Sequence, residues 1–214
     1  MIRVVVADDE ELVRDGLVAI VSSSPDFEVV GEAADGEQAV QVVQKTDPDV
    51  VLMDVRMPRV DGIEATRRLR DSRTRVLVLT TVELDWVVYE ALRAGASGFL
   101  LKSVPRTQLW SGLQAVAAGD SLLAPSITRR LIEEHVAGPG PGREAPALGL
   151  TDRQKTVVRL VARGLSNQAI AAELHLAEST VKGYVSDVLM RHGLRDRTQL
   201  VVLAYESGLV RAGQ

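Results

Sequence analysis

The stretch Val50-Val51-Leu52-Met53-Asp54-Val55-Arg56-Met57-Pro58, with Asp61-Gly62 close behind, decides the fold. Four apolar residues run without interruption into one carboxylate, and a Pro and then a Gly end the extended run. A strand that is apolar on both faces belongs in a sheet covered on both sides. Asp54 then stands at the carboxyl end of that strand, the edge of an open parallel sheet at which ligands collect.

Three other apolar runs end in the same manner. Residues 2 to 7 lead into Asp8 and Asp9, residues 76 to 79 into Thr80, and residues 97 to 101 into Lys102. Working outward, strands are expected at 2 to 8, 28 to 33, 50 to 54, 75 to 80 and 97 to 101. Between and after them, segments 12 to 21, 36 to 45, 62 to 71, 84 to 94 and 107 to 118 have helical length and periodicity. Strict alternation of strand and helix implies right-handed crossovers and a parallel sheet. The expected fold class is α/β, a five-stranded doubly wound parallel sheet, followed by a small all-α domain.

The 214 residues leave room for that second domain. Ala137-Gly138-Pro139-Gly140-Pro141-Gly142 and the residues to Pro146 sustain neither a helix nor a ladder, and so read as a linker. The expected division is a first domain at 1 to 120, a connector helix and linker at 121 to 149, and a second domain at 150 to 214. Residues 1 to 124 carry a net charge of −7 and residues 150 to 214 one of +3, so the halves are expected to meet different partners. The chain has no Cys, which excludes disulfides and thiolate metal sites and suits a reducing compartment. No apolar run approaches the roughly 18 residues of a membrane helix, and the amino terminus enters a strand directly. A cytoplasmic protein without membrane contact is expected.

Asp8, Asp9 and Asp54 would repel one another unless a hard cation sat among them, and Mg²⁺ takes one or two carboxylates together with water and a phosphate oxygen. Lys102 adds a point charge and Thr80 a hydroxyl. The set suits phosphoryl transfer, with Asp54 as the nucleophile. The bland alternative is that each carboxylate caps a helix or forms a turn. Four suitable groups at the ends of four strands argue against it.

Asp8-Asp9, Met53 to Pro58 with Asp61-Gly62, Thr80, and Gly98-Phe99-Leu100-Leu101-Lys102 resemble the receiver domain of two-component response regulators. The resemblance implies that a histidine kinase phosphorylates Asp54. It also implies that Asp8, Asp9, Asp54 and the backbone carbonyl of Arg56 hold Mg²⁺, and that Lys102 pairs with the phosphoryl group. Thr80 and Phe99 would be the switch pair. Arg59 departs from the Gly common in such proteins, and Ser103 from a common Pro. Trp86, beside Asp85, either fills a groove or belongs to a partner-contact face, where Trp is enriched.

Beyond residue 148 the pattern becomes helical throughout. Thr151 is expected to cap a helix that Gly164 ends, and Ser166 to cap the helix 167 to 174. A longer amphipathic helix follows at 178 to 192. Two helices joined by a tight turn form a helix-turn-helix, whose second helix lies in the major groove of DNA. Thr180, Lys182, Gly183 and Ser186, with Tyr184 at the edge and Asn167 on the helix before, are the candidate DNA contacts. Lys182 suits a phosphate or guanine edge, and Gly183 allows close approach.

Leu150-Thr151-Asp152-Arg153, Gly164 to Ala171, Ser179-Thr180-Val181-Lys182 and Arg197 resemble the LuxR-type DNA-binding domain. That resemblance implies four helices, with the last, at 198 to 207, a frequent dimer contact. Gln154 stands where relatives commonly carry Glu, Ala177 where a capping Ser is frequent, and Tyr184 where His is frequent. The whole chain is similar to NarL/FixJ-family regulators, which implies a homodimer on a two-fold double-stranded DNA site. An enzyme is not expected. An aspartate-nucleophile phosphatase needs an acid two residues after the nucleophile, where Arg56 stands, and no Gly-Lys phosphate loop or GxGxxG follows the first strand.

Overall fold

The computed structural model describes residues 1–81, 85–119 and 148–210, with the backbone alone for 85 and 86. The expected connector helix, the Gly/Pro linker and the Trp86 side chain lie outside the described residues. The chain divides into two compact units, Met1–Leu122 and Leu123–Gln214.

In the first unit, β1 (Ile2–Ala7), β2 (Phe27–Ala33), β3 (Val50–Asp54), β4 (Arg75–Thr80) and β5 (Gly98–Leu101) alternate with α1 (Glu11–Ser22), α2 (Gly36–Thr46), α3 (Gly62–Arg68), α4 (Asp85–Ala94) and α5 (Arg106–Ala118). All four strand pairings are parallel and the spatial order is β2-β1-β3-β4-β5. Strand order therefore reverses beside β1, with β2 on one side and β3 on the other. The crevice at such a switch point opens beyond the carboxyl ends of β1 and β3. Asp8 follows the first and Asp54 ends the second.

The apolar runs are explained by double-sided burial. Val4, Val6, Leu52, Leu77 and Leu79 pack with Leu17 and Val21 of α1 and Leu109, Leu113 and Val116 of α5. The alternate residues Val5, Val51, Met53 and Val76 are equally buried, on the face against which α2 and α3 pack. Each such Val or Leu contributes roughly 1.5–3 kcal/mol on burial, so the strand ends are held by a rigid centre. Helix α3 stops at Arg68, three residues short of the expected end. Leu69 turns into the core, its N–H shared between the Ala65 and Thr66 carbonyls, and the Ser72 hydroxyl donates to the Leu69 carbonyl.

The second unit contains α6 (Asp152–Ala162), α7 (Asn167–Leu174), α8 (Glu178–Arg191) and α9 (Arg197–Glu206). Val157, Leu160, Val161, Ile170, Val181, Val185 and Val188 are buried together with Leu200, Ala204 and Tyr205 of α9. Leu174 and Leu189, on the periodic faces of their helices, are only half-buried. Thr151 and Ser166 cap α6 and α7 through the amides of Gln154 and Ala169. Gly164, at φ 82°, closes α6 by donating to the Val161 carbonyl, while Leu165 donates to that of Leu160. Among the described residues, no helix is long and apolar enough to cross a membrane.

Candidate functional site

The four strand ends do converge. The Lys102 ammonium lies 3.0 Å from Asp54 Oδ1 and 2.7 Å from Asp8 Oδ2. Asp54 Oδ2 accepts a hydrogen bond from the Arg56 amide at 3.2 Å, and Asp8 Oδ1 accepts one from the Glu10 amide at 3.1 Å. One carboxylate oxygen from each of Asp8, Asp9 and Asp54 lies within 4.8 Å of the others. Asp8 is fully buried, Asp54 is 6% exposed, and Asp9 faces solvent. Thr80 is buried at the end of β4, where its carbonyl accepts the Lys102 amide at 2.8 Å. Thr81 is exposed and accepts a hydrogen bond from the Arg56 guanidinium, as strand alternation requires. Phe99 pairs with Val78 in the sheet and its ring is half-buried.

The electrostatics leave this cluster short of positive charge. Burial raises the Asp54 carboxyl above its ordinary value, with a smaller push from Asp8, and contact with Lys102 offsets these only in part. Burial alone would lower Lys102, but the close contacts and charges of Asp8 and Asp54 outweigh it and raise the ammonium. Asp8 Oδ2 meets Lys102 as an ion pair without an aligned hydrogen bond. An all-oxygen donor set with one buried oxygen so placed fits a hard divalent cation such as Mg²⁺.

Hydrogen bonds and ion pairs anchor the loops around the site. The Arg14 guanidinium donates to the Asp8 carbonyl at 2.9 Å and pairs with Glu32, which ties α1 and β2 to the turn after β1. In the loop after β3, Arg59 has φ 66°, a left-handed conformation that disfavours side chains, and its guanidinium pairs with the fully buried Asp35. Asp35 also caps α2 through the Gln38 amide, and Gly36 donates to the Val60 carbonyl at 3.0 Å. Arg59 therefore replaces the conformational freedom of a Gly with an ion pair. The turn after Lys102 runs through Ser103 without a cis peptide bond.

In the second unit, Ser179, Thr180, Lys182, Gly183, Ser186 and Met190 form an exposed face on α8, opposite the buried Val181, Val185 and Val188. Lys182 lies 3.5 Å from Glu178 across one helical turn, a solvated pair that leaves the ammonium available. A Cβ at Gly183 would meet nothing within 4 Å. Tyr184 is half-buried at the edge of this face. Asn167 is half-buried too, and its side-chain oxygen accepts a hydrogen bond from Arg197 at 2.8 Å.

Residues 4–114 match the response regulator receiver domain, and residues 148–204 match the bacterial regulatory proteins of the luxR family. The transcriptional regulatory protein DegU of Brevibacillus brevis is 38% identical over 98% of this chain and 95% of its own. The DNA-binding transcriptional activator DevR/DosR of Mycobacterium tuberculosis is 39% identical over 96% and 95%. Among solved structures, the response regulator ChrA of a heme-sensing two-component system aligns with a TM-score of 0.52 and 35% identity over 98% of both chains. The chain belongs to the response regulators with a LuxR-type DNA-binding domain. Two of these relatives are transcriptional regulators and the third is the response regulator of a two-component system.

In this response regulator, sequence reasoning placed Asp8, Asp9, Asp54, Thr80 and Lys102 in one site and the structure brings them together. It missed Arg14 and Asp35, whose roles depend on loops that meet only in three dimensions. It also passed over the capping box between Thr151 and Gln154, although a Thr with Gln three residues later is its signature.

Proposed function

We propose that this response regulator accepts a phosphoryl group on Asp54 from a histidine kinase and, as a homodimer, binds a two-fold site on double-stranded DNA to control transcription. The observation that carries the reading is the meeting of Asp54, Asp8 and Lys102 at the switch point of the sheet. In the transfer, an Asp54 carboxylate oxygen bonds to phosphorus as the phosphorus–nitrogen bond of the donor phosphohistidine breaks, and the donor imidazole keeps the electron pair. Asp8, Asp9, Asp54 and the Arg56 carbonyl would hold Mg²⁺, which when bound neutralises phosphoryl oxygens. Lys102 supplies the remaining positive charge beside Asp54.

The acyl phosphate then biases a two-state element, which requires an interaction made in one state only. Thr80 is the donor for it, turning its hydroxyl to a phosphoryl oxygen, with the half-buried Phe99 turning inward behind. The receiver comprises residues 1 to 120, a connector 121 to 149, and the DNA-binding domain 150 to 214. Thr180, Lys182, Gly183, Tyr184, Ser186 and Asn167 are the DNA contacts. The phosphoaspartate is a signal and not a metabolic product, so the protein acts in the cytoplasm as a regulator and not as an enzyme.

The test is intact-mass measurement after incubation with Mg²⁺ and acetyl phosphate, with Asp54→Asn beside the wild type and sizing of both. One phosphoryl adduct on the wild type alone, with a shift to dimer, is expected. No adduct under conditions that modify a control receiver would overturn the phosphorylation reading and point to DNA binding independent of phosphate.

A further inference from the structure

Gln154, the third residue of α6, is 4% exposed and uses both ends of its amide. Its oxygen accepts from the Thr151 amide at 3.0 Å, which with the Gln154 amide on the Thr151 hydroxyl closes the capping box, and also from the Thr151 hydroxyl at 3.1 Å. Its Nε2 donates to Asp187 Oδ2 at 2.6 Å, on the DNA-reading helix α8. The same Asp187 oxygen lies 3.2 Å from the Arg191 guanidinium, whose other nitrogen donates to the Gly149 carbonyl at 2.9 Å. One polar chain thus joins the backbone before α6, the first turn of α6 and the middle of α8.

The two ends of Gln154 make different demands. The cap needs only a side-chain oxygen and is served equally by Glu or Gln. The bond to Asp187 needs a donor, which an ionised Glu lacks, and a Glu there would set carboxylate against carboxylate. The amide at 154 is therefore matched to the carboxylate at 187, which lies one residue after Ser186 and one turn after Gly183.

We infer that Gln154 is a positioning residue for DNA recognition: its bond to Asp187 sets the rotation of α8 against α6, so that Thr180, Lys182, Gly183 and Ser186 face the groove together. Val181, Val185 and Val188 hold α8 to the core by apolar contact, which resists separation but specifies rotation loosely. The short hydrogen bond from Gln154 to Asp187 on the flank of the helix, beside the more exposed Arg191–Gly149 bond, supplies a directional constraint. Contact residues must be held within about 0.5 Å of the productive geometry for recognition to be sharp. The inference rests on the reading that the exposed face of α8 meets DNA.

The experiment compares full-length wild type, Gln154→Glu, Asp187→Asn and the double variant on a duplex selected by the wild type from a random-sequence library, at fixed salt, with thermal melting of each. Gln154→Glu is expected to bind about tenfold more weakly. The double variant is expected to bind like the wild type, because the amide introduced on α8 donates to the carboxylate introduced on α6 and the bond is restored with its polarity reversed. Asp187→Asn alone is expected to stay within about threefold of the wild type, since an Asn oxygen still accepts from Gln154. Gln154→Glu binding like the wild type, or the double variant binding no better than Gln154→Glu, would overturn the inference. If Gln154→Glu proves unfolded in the melt, Gln154→Ala, which removes the bond without adding a charge, takes its place: weaker binding at a temperature where it is fully folded is expected, and binding at wild-type strength there would overturn the inference. A wild type that enriches no duplex overturns the DNA reading itself, and the inference with it.

Discussion

A Cβ built on Gly62 falls 1.8 Å from the carbonyl oxygen of Asp54, so the first residue of α3 and the last residue of β3 are in backbone contact. The Gly62 amide donates to the Val55 carbonyl at 2.9 Å, which folds the loop after β3 back on the strand. Gly62→Ala is expected to displace Asp54 and destabilise the receiver by about 3 kcal/mol or more, in the range of severe overpacking. Gly16, on an exposed turn of α1, has nothing within 4 Å of such a Cβ. Gly16→Ala should stabilise by about 0.5–1 kcal/mol. Urea midpoints of the two variants, moving in opposite directions, check the contrast.

Burial raises Asp54 above the ordinary carboxyl value and Lys102 only partly compensates, which makes stability depend on pH. Above the unfolded value of 3.8, the unfolded chain gives up this proton more readily than the folded one. Stability is therefore lost as pH rises through the interval between the unfolded and folded values, and stays lost above it. In chelator, Asp54→Asn is expected to melt above the wild type at about pH 7 and level with it below pH 3.8. Added Mg²⁺ should narrow the gap by binding the folded wild type. Equal melting of the two proteins at neutral pH in chelator would contradict this account.

Lys102 moves in the opposite sense. Its raised value means that its contribution is complete below the unfolded value of 10.5 and is lost as pH climbs through the higher folded one. Lys102→Met leaves Asp8 and Asp54 without their shared counter-charge and is expected to cost about 1–3 kcal/mol at neutral pH. The wild type and this variant should converge in stability at strongly alkaline pH, which denaturant titration at several pH values would show.

Strand apolarity and the polar residue ending each strand made the receiver sheet and its four converging groups legible, because period and length are local signals. The helix caps Thr151 and Ser166 were legible for the same reason. The Arg59–Asp35 pair was not, since residues 24 positions apart in two loops share no pattern in the chain. Arg59 showed only as a departure from Gly. The early end of α3 lies in its backbone bonds: Leu69 keeps its place on the buried face, but Arg70 and Ser72 donate to carbonyls only three residues back, so the last turn tightens and the helix stops. Gln154, likewise, showed only as a departure from Glu until Asp187 was found 2.6 Å from it.

Arg59 combines a conformational cost with an electrostatic gain. A side chain held at φ 66° costs roughly 1–2 kcal/mol, which Gly would remove. Yet the Arg59 guanidinium is the ion-pair partner of a fully buried carboxylate on Asp35, and breaking a buried pair costs more than releasing the backbone. Because the Arg59 side chain is 65% exposed, the net loss in Arg59→Gly is expected to be modest, about 1 kcal/mol. Asp35→Asn keeps the cap on α2 without the charge. Arg59→Gly with Asp35→Asn should then exceed Arg59→Gly alone in denaturant midpoint.

Gly183 separates what the fold needs from what the proposed DNA contact needs. It sits in the middle of α8, where Gly costs about 0.8–1.0 kcal/mol relative to Ala, and among the described residues no atom lies near enough to require its lack of a side chain. The N-cap of the same helix, Ala177, makes no side-chain hydrogen bond, so the helix forgoes about 1 kcal/mol there as well. Ala177→Ser should raise the melting temperature, and so should Gly183→Ala. The two should diverge on DNA. Gly183 lies between Lys182 and Ser186 on the exposed face; on the proposed reading that this face meets DNA, a methyl group would stand between the helix backbone and the groove, so Gly183→Ala is expected to weaken binding severalfold despite its greater stability. Binding by Gly183→Ala at wild-type strength to a duplex selected by the wild type would show that this face does not approach the DNA closely.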